Sequence, residues 1–234
     1  MARETIRENL QRILAGIEAA ANRAGRRAEE ITLVAVSKTH ASEAISAAFE
    51  AGIREFGENR VQEWEAKRSA VIDLPARWHL VGHLQSNKAA RAARLFHSVD
   101  SVDDFALAER LNRAREETGA AEKLRVLIEV RLAPEEGKSG VEVAELPRLA
   151  QQIGGLECLE LAGLMCIPPY RETPEETRPH FRRLRELRDE LEKQLGRKFG
   201  VLSMGMSHDF EVAIEEGATE VRIGTALFGE RPKL

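Results

Sequence analysis

Leu33-Val34-Ala35-Val36-Ser37-Lys38 is an apolar, β-branched run that ends on a lysine. Such a run reads as a strand buried on both faces, the kind that parallel sheets are built from. A charged amine at the mouth of that strand is poorly solvated, so the position is costly unless the amine is used. A solvated lysine at a strand end is the ordinary alternative. Upstream, Ile6, Leu10, Ile13, Leu14 and Ile17 recur at three- and four-residue steps, which predicts an amphipathic helix ending near Gly25. Downstream, short apolar runs alternate with loops and glycine-terminated helical stretches, the pattern of parallel βαβ units.

Eight strand candidates result, at 33–37, 53–56, 78–81, 96–99, 124–130, 159–165, 200–203 and 221–223. Helix starts are expected at Ser42, at Asn59 with Gln62, at Ser101 with Asp104, at Thr173-Pro174 with Glu176, and at Ser207. Gly52, Gly119, Gly154, Gly196 and Gly217 mark the stops. Eight strand–helix repeats predict an α/β fold, a single (β/α)8 TIM barrel with an extra N-terminal helix. One domain is expected over residues 1–234, with the helix at 1–25 and the barrel at 31–230.

The 234 residues suffice for one such barrel. A net charge of -4 and an isoelectric point near 6.0 argue against nucleic acid or an anionic membrane as the main partner. Two cysteines, Cys158 and Cys166, cannot form a disulfide framework and suit a reducing compartment. The opening segment is charged and amphipathic rather than signal-like, and no stretch is long enough to span a bilayer, so a cytoplasmic protein is expected.

In a parallel barrel, functional groups gather on the loops that follow the strands. That rule brings Lys38, Asn59, His83, Met165, Ser203 and Gly224-Thr225 to one rim. Lys38 needs a depressed value relative to the usual ~10.4 to expose the neutral amine that imine formation requires. Ser207 and Gly224-Thr225 offer hydroxyls and free backbone amides to a phosphate, although each also reads as an ordinary cap or turn. Together these residues describe an aldehyde-bearing phosphorylated cofactor, for which pyridoxal 5'-phosphate (PLP) fits best. Arg222, inside a predicted strand, is read either as a salt-bridge partner or as a donor to the pyridine nitrogen. Asn59 reads as a helix cap that could also reach the ring hydroxyl.

Several features are read as structural. His79 and His83 invite a metal, but no carboxylate or cysteine stands at ligand spacing, and no metal is expected. Glu136-Gly137-Lys138-Ser139 resembles the end of a nucleotide-binding loop, but Leu132 stands where the first glycine is required. Arg178, Arg182, Arg183, Arg185 and Arg188, interleaved with acids, describe a solvated outer helix, and His208 is read as solvent-facing.

The segments Val34–Lys38, Phe56-Gly57-Glu58-Asn59-Arg60-Val61-Gln62-Glu63, Trp78–Lys88, Gly163-Leu164-Met165, Ser203–Ser207 and Arg222–Gly229 closely resemble the pyridoxal phosphate homeostasis protein family, over essentially the whole chain. The resemblance implies a barrel like the N-terminal domain of alanine racemase, with Lys38 carrying PLP as an internal aldimine. It also implies ring contacts from Asn59 and Arg222, and phosphate contacts from Ser203, Ser207, Gly224 and Thr225. Met165 is taken as a further cofactor-binding residue. The implied role is buffering or delivery of PLP, with effects on amino-acid and keto-acid balance and no robust catalysis. Departures at Pro169-Tyr170 and at His208 touch only the rim loops.

The residues support a carrier on their own terms. Racemisation needs acid–base groups on both faces of the substrate, and the only tyrosine is Tyr170, on a proline-rich loop. The expected partners are PLP and, transiently, PLP-requiring apoenzymes, with a monomer and a weak dimer both open. A small PLP-dependent amino-acid racemase and a phosphosugar barrel forming a lysine imine with its substrate are the alternatives.

Overall fold

The computed structural model describes residues 2–133 and 139–230. All eight expected strands form: β1 (Thr32–Val36), β2 (Glu55–Glu58), β3 (Arg77–Leu80), β4 (Ser98–Val102), β5 (Leu124–Arg131), β7 (Leu159–Met165), β8 (Val201–Met206) and β9 (Glu220–Ile223). An additional two-residue strand, β6 (Val141–Glu142), pairs with the end of β5 and had no counterpart in the sequence reading. The order β4-β3-β2-β1-β9-β8-β7-β5, with β5 pairing back onto β4, closes an all-parallel eight-stranded barrel. Each barrel strand is followed by a helix: α2 (Ser42–Glu50), α3 (Val61–Lys67), α4 (Ala89–Leu95), α5 (Phe105–Glu116), α6 (Leu146–Gly154), α7 (Arg178–Leu195), α8 (Phe210–Glu215) and α9 (Thr225–Phe228).

The extra helix α1 (Ala2–Arg23) packs on α2, α8 and α9 through Ile6, Leu10, Ile13 and Ile17, while Leu14 stays half exposed. Among the described residues, no helix is long and apolar enough to cross a membrane. The apolar core lies mainly between barrel and helices. There Trp64 of α3 stacks on Trp78 of β3 at 3.7 Å between ring centroids, and Trp78 in turn lies 5.1 Å from Phe56.

Four expected caps differ in the structure, one of them Ser207, because the N-cap of α8 is Asp209. Asn59 does not cap α3, whose N-cap is Arg60. Asp104 rather than Ser101 caps α5, accepting from Leu107 N–H at 2.8 Å, and Ser42 is the first residue of α2. Thr173 and Glu176 do form the expected reciprocal box. Of the nucleotide-loop false lead, residues 136–138 lie outside the described residues.

Register decides what faces the barrel axis. Gly57 faces inward, because a Cβ there would lie 3.1 Å from Val34 and 3.3 Å from Val36 and Val81. Pairings of Val34 with Glu55 and Arg222, of Gly57 with His79, of Met165 with Ser203 and Glu129, and of Ser203 with Glu220 put all of these on the inner face. Gly163 allows β7 and β8 to approach, since its Cβ would meet Val201 O at 1.9 Å.

The N-terminal end of the barrel is closed by charge. His79 Nδ1 lies 3.0 Å from Asp100 Oδ2 and Nε2 lies 2.8 Å from Glu55 Oε2, while Arg125 donates to Glu220 at 2.6 Å. Ser98 donates to the second oxygen of Asp100. The sequence expectation that no carboxylate stands near His79 is therefore corrected, because the fold supplies Glu55 and Asp100 from other strands. His79, Asp100 and Glu220 place three ligand-type atoms within 4.8 Å of one another, but both ring nitrogens of His79 already face carboxylates.

Burial alone would lower the His79 value, yet Asp100, with Glu55 and Glu220, overrides it and pushes the imidazole up to about 10. Burial would likewise raise Asp100, and the facing imidazolium holds it below the usual carboxylate range. A folded value above the free one of 6.5 means that this stabilisation is complete below pH 6.5 and is lost as the pH rises through about 10. His79→Gln leaves Asp100 buried without its cation and is expected to cost about 3 kcal/mol or more at pH 7. In urea unfolding followed from about pH 6 to about pH 11, the gap to the wild type should narrow at the alkaline end.

Candidate functional site

A cavity of about 510 Å³ opens at the C-terminal ends of the strands, within the size range of small-molecule sites. Six of the eight residues singled out from the sequence line it: Lys38, Asn59, Ser207, Arg222, Gly224 and Thr225. Met165 and Ser203 do not; both are fully buried on the inner face, beneath the cavity. Lys38 is half-buried in the turn that follows β1.

Arg222 occupies the centre of this arrangement. Its guanidinium is buried and donates through Nη1 to Ser203 Oγ at 2.7 Å and through Nη2 to the Cys166 carbonyl at 2.8 Å. Among the described residues it has no carboxylate partner, so the salt-bridge reading of this residue is set aside. Ser203 thus supports Arg222 directly, which is a different use from the phosphate contact implied by resemblance. Two of five guanidinium N–H groups are committed, leaving donors for whatever fills the cavity. Burial pushes the Cys166 thiol up to about 12, so it stays protonated beside this cation.

Asn59 is placed by backbone packing rather than by capping. A Cβ on Gly82 would lie 2.4 Å from Asn59 O, so only glycine lets the loop after β3 close against the end of β2. On the opposite side, Ser207 Oγ accepts from Ala226 N–H at 3.1 Å, which ties the loop after β8 to the start of α9. That bond brings Ser207, Gly224 and Thr225 together at one end of the cavity. At the mouth, His208 is exposed, as expected, and its ring lies 5.5 Å from that of Tyr170, itself 78% exposed and outside the lining.

Sequence reasoning missed Glu129, which lines the cavity from the end of β5 and is 7% exposed. Its signal was present: it is the only carboxylate inside the apolar run Leu124–Val130. Burial, with Asp103 nearby, pushes its carboxyl up to about 7 against the pull of Arg222. The donor set therefore consists of an amine, an unpaired guanidinium, an amide and hydroxyls, facing a carboxyl that is partly neutral near pH 7. By its donor chemistry it fits a phosphorylated heteroaromatic aldehyde.

The family described as "Alanine racemase, N-terminal domain" matches residues 9–232. The chain is 46% identical to the pyridoxal phosphate homeostasis protein of Aquifex aeolicus, over 96% of this chain and 97% of that protein. It is 45% identical to that of Pseudomonas aeruginosa, over 97% and 96%. PipY of Synechococcus elongatus, solved with PLP bound, superposes with a TM-score of 0.80 at 44% identity, covering 86% of this chain and 93% of that one. Alanine racemase of Clostridium difficile shares the fold, with a TM-score of 0.76 at 15% identity over 98% of this chain and 58% of that one.

Glu129 titrates above its free value of 4.5, so its contribution to stability is complete below that pH and is lost as the pH rises through about 7. Glu129→Gln is expected to remove this loss and to stabilise the cofactor-free protein at pH 8 by up to about 3 kcal/mol. Urea unfolding at pH 5 and pH 8 checks it; equal pH responses of the two proteins would refute the assignment.

Proposed function

We propose, for a chain that belongs to the pyridoxal phosphate homeostasis proteins, that it binds PLP in the rim cavity, covalently through Lys38, and buffers or delivers it. The observation that carries this reading is the presence, in one cavity with Asn59, Ser207, Gly224 and Thr225, of Lys38 and an Arg222 that has no carboxylate partner among the described residues. Bound PLP supplies an electrophilic aldehyde carbon and an electron-withdrawing ring. Lys38 would supply the amine that condenses with that carbon with loss of water. Arg222 would donate to the ring nitrogen and, being permanently protonated, would keep that nitrogen unprotonated. Asn59 would hold the ring, and Ser207, Gly224 and Thr225 would offer hydroxyls and backbone amides to the phosphate.

Holding without robust catalysis is supported by what surrounds the amine. An α-proton must be moved on both faces of a substrate to racemise it. The only tyrosine in the sequence, Tyr170, stands outside the cavity lining. The loops after β3, β7 and β8 line the cavity with exposed residues, His83, Ile167 and His208, which suits handover to transient, PLP-requiring apoenzymes.

Lys38→Ala is expected to abolish the visible absorbance of the loaded protein, and borohydride should fix the cofactor on the Lys38 peptide of the wild type, located by mass. A label elsewhere, or none, refutes the attachment. The likeness to alanine racemase in fold favours one other reading, a small amino-acid racemase using Tyr170, a rim histidine or a partner subunit. Incubation of the loaded protein with L-amino acids in deuterated water separates the two. The carrier should show no sustained α-deuteration; turnover at enzymatic rates would establish the racemase.

A further inference from the structure

Helix α3 sets a second lysine against the turn that carries the first. Lys67 Nζ lies 2.6 Å from Glu58 Oε1, and it donates to the main-chain carbonyls of Ser37 at 2.9 Å and of His40 at 3.4 Å. Those two carbonyls bracket Lys38 and Thr39. Three acceptors account for the three N–H donors of an ammonium. Glu58 is itself fully buried at the end of β2 and receives the Ser37 hydroxyl at 2.6 Å on the same oxygen. Ser37 N–H donates to Gly57 O at 2.9 Å, and its carbonyl also accepts from His40 N–H at 3.1 Å. The helix bearing Lys67 is in turn held to the barrel by the Trp64–Trp78 stack.

The turn needs such a hold. Thr39 has φ of +65°, the only positive value at a non-glycine residue among those described. A β-branched side chain in the left-handed region is strained, and the conformation persists only where its surroundings over-determine it. The residue under strain is the immediate neighbour of Lys38. An ammonium gripping the carbonyls on both sides of the pair fixes the direction in which Lys38 leaves the backbone. Glu58, whose burial raises its carboxyl while Lys67 and Ser37 oppose that shift, keeps the ammonium in place.

We propose that Lys67, anchored by Glu58, is a positioning residue that fixes the strained Ser37–His40 turn, so that Lys38 meets the cofactor in a bonding-ready orientation. The inference rests on the reading that Lys38 carries PLP. A simpler role would be charge compensation for Glu58 alone, and the two differ in what happens when both charges are removed together.

The test uses the full chain as wild type, as the double variant Lys67→Met/Glu58→Gln, and as Lys67→Arg. The double variant leaves no unpaired buried charge but deprives the two carbonyls of their donor. It should hold PLP about tenfold or more weakly in equilibrium dialysis. In the cofactor-free protein its amides at 38–40 should exchange about tenfold or more faster, with core-strand exchange and melting temperature near wild type. Lys67→Arg, which retains donors, should recover most of the retention.

Wild-type retention and wild-type turn exchange in the double variant would overturn the inference. So would weaker retention without faster turn exchange, or faster exchange spread over the whole barrel. Borohydride labelling of the wild type separates this from the premise. A label absent from the Lys38 peptide defeats the attachment itself, whereas a label on Lys38 with an unaffected double variant defeats only the role of Lys67.

Discussion

A buried guanidinium that meets only neutral oxygens among the described residues sets the character of the whole rim. Arg222 reaches the barrel interior because β9 pairs with β1 in a register that puts it level with Val34. Its partners, Ser203 and the Cys166 carbonyl, orient it without neutralising it. A permanent cation held this way raises the affinity of the cavity for anions and ring acceptors. It also acts on its neighbours, opposing the upward shift of Glu129 and of the Cys166 thiol.

The two ends of one barrel treat charge in opposite ways. At the N-terminal end, Arg125 is matched with Glu220 and His79 with two carboxylates, so the ions are consumed by each other. At the C-terminal end, Arg222, two residues after Glu220 on the same strand, has no carboxylate within bonding distance among the described residues. An alternating strand makes this separation possible, because residues two apart share a face but stand at different heights. Paired charges close the floor and make its stability sensitive to alkali. The unpaired one leaves the rim with chemistry to perform, as the general division of such barrels would have it.

Much of this was legible in the sequence, and what was not has a common cause. The strand positions followed from short apolar runs, and topology alone brought Lys38, Asn59, His83, Gly224 and Thr225 to one cavity, while Met165 and Ser203, assigned to the same rim, lie outside its lining. The misjudged caps at Asn59 and Ser101 each had a suitable side chain, but tertiary contacts decided otherwise: the Asn59 backbone packs against Gly82, and the Ser101 hydroxyl donates to the Gly82 carbonyl. The partners of His79 lie on β2 and β4, and Lys67 reaches back thirty positions to Ser37. Register, bulges and helix placement decide those contacts, and none of them is a local property of the chain. Glu129 was the exception, visible as a lone acid in an apolar strand.

The same geometry explains how attachment and catalysis can be separated within one site. Forming a bond between the Lys38 amine and an aldehyde requires a neutral, well-aimed nucleophile, which depends on the turn after β1 and on nothing that the ring does. Stabilising negative charge that develops beside the ring is another matter, because a protonated ring nitrogen strengthens it. Arg222 cannot give up its proton to that nitrogen, so in the proposed complex the electron-withdrawing power of the ring stays low while the covalent grip is unaffected. In the proposed complex a lysine beside the strained Thr39 would supply the covalent hold, while the permanently charged donor on the neighbouring strand β9 would leave the ring a weak electron sink.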